Sequence, residues 1–266
     1  MFHYGYRAIF QKDLRTAIDE AAHNGFEVLE IHLASPQFLV DRYSPAALKK
    51  IRSYATQRGV TLQTHAPFEV SLLFSDPVMR EATKKFIKKV ARFSTLIGAR
   101  CMTVHPGFVV GYHDADGKKI KNDDLYRAFY KKLFDESMRF MSTLASSQLV
   151  IGIENTDNFN TDYRMILEKY LRSKKLFLTW DVRKNFSMKG GALNEDQWNY
   201  VQRNKKYVRN LHMSGLGGPH GAVSTADKRL MPFIGLFKNQ DLPMIFEVEP
   251  LRAAITSKRT LVKMAR

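Results

Sequence analysis

The chain holds a single cysteine, Cys101, so no disulfide can close within it. The place of that thiol in the apolar run ARCMTV marks a buried side chain rather than a nucleophile. No apolar run approaches the ~20 residues needed to cross a bilayer, which argues against a membrane partner. The N-terminal stretch MFHYGYRAIFQK is too short and too polar for a signal peptide, and a cytoplasmic location is the expectation. Linkers and low-complexity tracts are also missing. With 266 residues and 44% hydrophobic content, residues 1–266 are expected to form one domain with one large core. Acidic side chains are scarce: 26 Asp and Glu against 42 Lys and Arg leave a formal net charge of +16. Such an excess concentrates polyanions near the surface, phosphorylated metabolites and nucleic acid among them. Much of it falls in segments that read as helices with one solvated face: KKFIKKVAR (84–92), FYKKLF (129–134), LRSKK (171–175), RNKKYVR (203–209) and SKRTLVKMAR (257–266).

What is present is an alternation of strand and helix patterns, repeated eight times. The strand candidates are FHYGY (2–6), EVLEIHL (27–33), TLQTHA (61–66), RCMTVHP (100–106), LVIGIEN (149–155), LFLTWDV (176–182), VRNLHMS (208–214) and PMIFEVE (243–249). Amphipathic segments lie between them, such as LRTAIDEAAHNG (14–25), closed by Gly25, and SPAALKKIRSYATQRG (44–59), with Ser44 as cap and Pro45 at the first helical position. This alternation implies a parallel sheet covered by helices, and eight units close a (β/α)8 TIM barrel of the α/β class. Catalysis in such a barrel belongs to the carboxyl ends of the strands.

That rule gives meaning to VIGIENTDNF (150–159), where a buried-looking strand ends in an acid, Glu154. Strand three likewise ends in His65, four in His105, six in Asp181, seven in His212 and eight in Glu247. Three imidazoles and three carboxylates brought to one rim form a mixed nitrogen and oxygen donor set suited to Zn²⁺, Mn²⁺ or Fe²⁺.

The stretches THAPFEV (64–70), TVHPGF (103–108), GIENT (152–156), TWDV (179–182), NLHMSG (210–215) and IFEVE (245–249) resemble the xylose-isomerase-like TIM-barrel superfamily. That superfamily holds sugar isomerases, sugar epimerases and endonuclease IV, and the resemblance covers nearly the whole chain. It implies one divalent metal, Zn²⁺ or Mn²⁺, at Glu154, Asp181, His212 and Glu247. It implies a second at His65 and His105 bridged by Glu154, as in the endonuclease branch. That branch builds a third site from residues that here read Lys184 and Gly218-Pro219-His220. A protonated lysine has no lone pair for a metal and glycine has no side chain, so the third site is expected to be missing. Lys184, after Arg183, would instead present positive charge to an anionic substrate oxygen.

Two chemistries follow. In the first, Glu154 and Glu247 shuttle a proton on a sugar or sugar phosphate beside a metal, which is isomerase or epimerase chemistry. In the second, two metals bridged by Glu154 serve phosphodiester hydrolysis at abasic DNA. The missing third site puts the first ahead, with a catalytically degenerate binding protein as a third reading. Phe68, Arg183, Lys184 and His220 are the expected substrate contacts. The partner is a small sugar or phosphorylated substrate, with nucleic acid as a second class through the basic surface.

Overall fold

A parallel sheet leaves two unpaired edges unless it closes on itself, and here it closes. The computed structural model describes residues 1–266 except 157–158, 187–190, 219 and 266. The barrel strands are β1 (Phe2–Ala8), β2 (Val28–His32), β3 (Thr61–His65), β4 (Cys101–Val104), β5 (Val150–Glu154), β6 (Phe177–Asp181), β7 (Val208–Met213) and β8 (Leu242–Phe246). Each pairs in parallel with the next, and β8 returns to β1 through partners such as Gly5 and Ile245. The ring is the expected (β/α)8 architecture, with strand bounds within a few residues of those read from sequence.

Local chemistry sets the covering helices. Ser44 accepts from the Ala47 amide and Pro45 opens helix Pro45–Gln57, as the sequence predicts. Asp13 and Asp76 cap their helices in the same way, accepting from Thr16 and Met79. Helix Leu14–His23 is capped at its end by Asn24, with Gly25 next in the left-handed region at φ 66°. Apolar faces of these helices meet the outer faces of the strands, where Trp180 is wholly buried beside Phe159 and Tyr200. Among the described residues no helix is long and apolar enough to cross a membrane.

Two features depart from the sequence reading. Of the basic segments, 84–92 and 129–134 lie within helices Pro77–Ile97 and Arg127–Ser142, but 171–175 runs past the end of helix Thr161–Arg172, and 203–209 leaves its helix at Asn204, turns through Lys205–Tyr207 and enters β7. A hairpin, Gly111–His113 with Lys119–Lys121, follows β4. Its three-residue strands are too short to show a period, and Asp114 holds its turn by accepting from the Asp116 and Lys118 amides.

Closure is tight where β1 joins its neighbours. A Cβ on Gly5 would sit 2.6 Å from the Val28 carbonyl oxygen and 2.7 Å from Ile245 Cδ1, so a methyl there must push strands apart. Gly5→Ala is therefore expected to destabilise the protein by about 1–3 kcal/mol, read as a fall in melting temperature. Gly235, within helix Met231–Phe237 and with open space around it, is the control. Gly235→Ala should be neutral or stabilising by up to about 1 kcal/mol.

Candidate metal centre

Residues on neighbouring barrel strands that share a register level and face inward meet inside the ring. Arg7 pairs with Glu30 and Glu30 with Gln63, which makes one polar row across β1, β2 and β3. Above it, the six side chains expected to gather do gather. His65, Glu154 and Asp181 are the last residues of their strands, His212 is the penultimate residue of β7, and His105 and Glu247 directly follow β4 and β8.

Glu154 stands at the centre. Its Oε2 lies 2.9 Å from His105 Nε2 and 3.2 Å from His65 Nε2, while its Oε1 lies 3.4 Å from His212 Nδ1. Glu247 Oε1 approaches the same His212 Nδ1 at 3.2 Å. Glu154, Asp181 and Glu247 each place an oxygen within 4.8 Å of the others, and His65, His105 and Glu154 form a second such group. All are buried except His105, whose side chain is 29% exposed.

The imidazoles are oriented for donation. His65 Nδ1–H donates to the Ala66 carbonyl at 2.8 Å, which turns Nε2 toward Glu154 Oε2. His212 Nε2–H donates to Glu30 at 3.1 Å, and Nδ1, fully buried, has no hydrogen-bond partner. An orphaned imidazole nitrogen between two carboxylates fits a divalent cation, with the far nitrogen anchored to a carboxylate as metal-bound histidines usually are.

Electrostatics lead to the same fit. Burial, with Glu247 and Glu154 nearby, pushes Asp181 up to about 7. Burial also opposes ionisation of Glu247, but Arg7 and His212 outweigh it and hold that carboxyl down at about 2. Glu154 is held well below the usual range because His105 and His212 overcome its desolvation. Three buried carboxylates with one forced toward protonation lack positive charge, and a bound cation supplies it.

Sequence reading missed several parts of this centre. Arg7 Nη1 donates to Glu247 at 2.8 Å and Nη2 to Glu249 at 2.9 Å. Glu30, fully buried, also accepts from Asn210 at 3.1 Å. Asn155 clasps the end of β6, accepting from the Asp181 amide and donating to the Asp181 carbonyl. His32 packs its ring 5.3 Å from that of His65, and burial followed by His65 depresses it to about 3. The visible signal for Glu30 and Arg7 was a charge inside an otherwise apolar strand.

The expected substrate contacts are spread more widely. Phe68 is half exposed, its ring 6.4 Å from that of His105. His220 Nδ1 lies 3.3 Å from Arg7 Nη2 and 3.2 Å from the Glu247 carbonyl. Lys184 is near enough for its charge to ease the ionisation of Asp181. Arg183 is buried and donates to the Phe186 carbonyl. Pro219 lies outside the described residues.

The Asp181 shift has a sign that can be checked. A carboxyl raised above its unfolded value binds extra protons in the folded state, so metal-free protein loses stability as pH climbs from about 4 through 7. Asp181→Asn removes that loss. In chelator-treated protein the variant should melt above wild type at pH 8, and the gap should close toward pH 4.

The family model described as a xylose isomerase-like TIM barrel matches residues 18–247. No curated protein sequence matches significantly. Among solved structures, a D-tagatose 3-epimerase-like protein superposes with a TM-score of 0.72 at 18% identity, covering 99% of this chain and 97% of that one. A 3-keto-D-glucoside 4-epimerase from E. coli gives 0.70 at 13%, with 99% of each chain covered. Endonuclease IV from Thermus thermophilus gives 0.67 at 18%, with 98% of each covered. At such identities these likenesses establish the fold alone; the family match over most of its length places the chain in the xylose isomerase-like TIM barrel family.

Proposed function

We propose that the protein is a divalent-metal-dependent phosphoesterase with a two-ion centre. The observation that carries this reading is the division of Glu154, whose Oε2 serves His65 and His105 while its Oε1 faces His212. A carboxylate divided in this way could contribute an oxygen to each of two ions. His65, His105 and Glu154 would hold one ion, and Glu154, Asp181, His212 and Glu247 the other. Zn²⁺ or Mn²⁺ bound there would supply Lewis-acid polarisation of a phosphoryl oxygen and activation of water.

The chain's own residues do the rest. Glu30 holds the His212 ring by accepting from Nε2–H, and Arg7 fixes Glu247. Lys184 gives its charge to a substrate oxygen, and the half-exposed Phe68 offers a planar face to a sugar or base. The net charge of +16 favours an anionic substrate, a nucleic-acid phosphodiester included.

Isomerase or epimerase chemistry is the second reading, favoured by the approach of Glu154 and Glu247 to one nitrogen of His212. It needs one of these carboxylates to take a proton near neutral pH, and a base works best when its pKa lies near the working pH. Arg7 and the imidazoles hold both far below that. This opposition puts hydrolysis first.

Metal analysis with parallel assays separates the two. Hydrolysis predicts two ions per chain and metal-dependent cleavage of bis(4-nitrophenyl) phosphate or of an abasic duplex. Replacing His65 and His105 together by Ala should leave one ion and lower that cleavage by about 100-fold or more, on the order of the loss expected when a catalytic group is removed. One ion in the wild type, with ketose epimerisation that survives the double change, would establish the second reading instead.

Lys184→Met keeps the aliphatic stem and removes the charge. It should lower kcat/KM for the phosphoester about 10- to 150-fold, the worth of one charge-assisted contact, with metal content and melting temperature unchanged. An unaltered kcat/KM would remove Lys184 from the substrate contacts.

A further inference from the structure

At the opposite mouth of the barrel, where the strands begin, lies a cavity of about 480 Å³, within the range of small-ligand pockets. We propose that it is a binding site for a small hydroxylated organic anion, in particular a phosphate ester, separate from the metal centre.

The lining has a definite polarity. Arg100 and Arg209 stand at the outer edge, one directly before β4 and the other second in β7. Arg100 makes no side-chain hydrogen bond or ion pair among the described residues. Arg209 stacks on Phe177 at 4.6 Å and donates from Nη1 to the carbonyls of Lys206 and Val208, with no carboxylate partner among those residues. Guanidinium groups only donate, so the outer partner must accept, and two positive charges favour an anion there.

The inner wall asks for the opposite. Gln63 is 1% exposed, and its Oε1 is buried with no hydrogen-bond partner. A buried carbonyl oxygen without a partner is met only by a donor. On the remaining side His3 bridges Glu27 and Asp241, at 2.8 Å to each, which removes much of their repulsion for an anion while leaving oxygens free to accept. A ligand that satisfies all of these has an anionic end at the arginines and hydroxyls facing Gln63 and the two carboxylates. A simple inorganic anion meets only the outer half.

Calorimetric titration of the full chain, treated with chelator, with D-ribose 5-phosphate, D-ribose and inorganic phosphate tests the assignment. Saturable binding of the ester is expected, at least about tenfold tighter than either fragment. Arg100→Gln and Arg209→Gln should each weaken it about tenfold or more. Both side chains lie at the surface, so melting temperatures should hold. Asp181→Asn, at the far end of the barrel, should bind as wild type does. Absence of saturable binding would overturn the proposal, as would loss in Asp181→Asn with retention in the arginine variants. Equal affinity for inorganic phosphate would overturn the role of Gln63 as an inner acceptor.

Discussion

Three closely spaced, buried carboxylates govern this structure. Glu154, Asp181 and Glu247 sit buried with oxygens within 4.8 Å of one another, and like charges that close in a poorly solvated place cannot all ionise unaided. The surroundings supply part of the compensation. Arg7 answers Glu247, His65 and His105 answer one oxygen of Glu154, and His212 lies against the other. The unmet remainder falls on Asp181, the member of the three pushed up toward neutrality. The appetite for a cation is therefore local, and it sits where His212 Nδ1 is also without a hydrogen-bond partner.

The barrel makes that concentration of charge sustainable. Its interior is not filled by aliphatic side chains throughout. Glu30 accepts from His212, Asn210 and Thr103, and Thr103 meets Thr179 at 2.9 Å. These groups sit on four different strands, so each depends on the register of the closed ring. An open sheet with the same residues would leave Glu30 without its partners. The tight passage at Gly5 belongs to the same constraint, because β1 must lie close to both neighbours for Arg7 to reach across to Glu247.

Sequence alone showed the outward half of this arrangement well. Strand ends announce themselves, since a His or Glu that follows a β-branched run stands apart from its surroundings, and the repetition at six strands turned weak signals into a pattern. Glu30 and Arg7 were harder to see. Each lies inside a strand, where alternation offers no way to tell an inward charge held by a partner from one facing solvent, and the partners are 182 and 240 residues away. The expectation that a third donor set is missing rests on Lys184, whose protonated amine has no lone pair, and on Gly218, which has no side chain. That a guanidinium stands near His220 and Glu247 was not legible, because Arg7 comes from the far end of the chain.

The nature of that fixed cation shapes how the centre can fill. A guanidinium stays charged at any working pH, so Glu247 is committed to its carboxylate form with or without a metal. Glu154 is likewise kept ionised by its imidazoles. An entering ion then meets two carboxylates that are already deprotonated, and the carboxyl proton it must displace lies on Asp181. The pH dependence of loading is thereby narrowed to Asp181 and the imidazoles. The same commitment weakens Glu154 and Glu247 as proton acceptors. A site built this way suits chemistry in which carboxylates hold and orient, and the proton moves on water or on substrate.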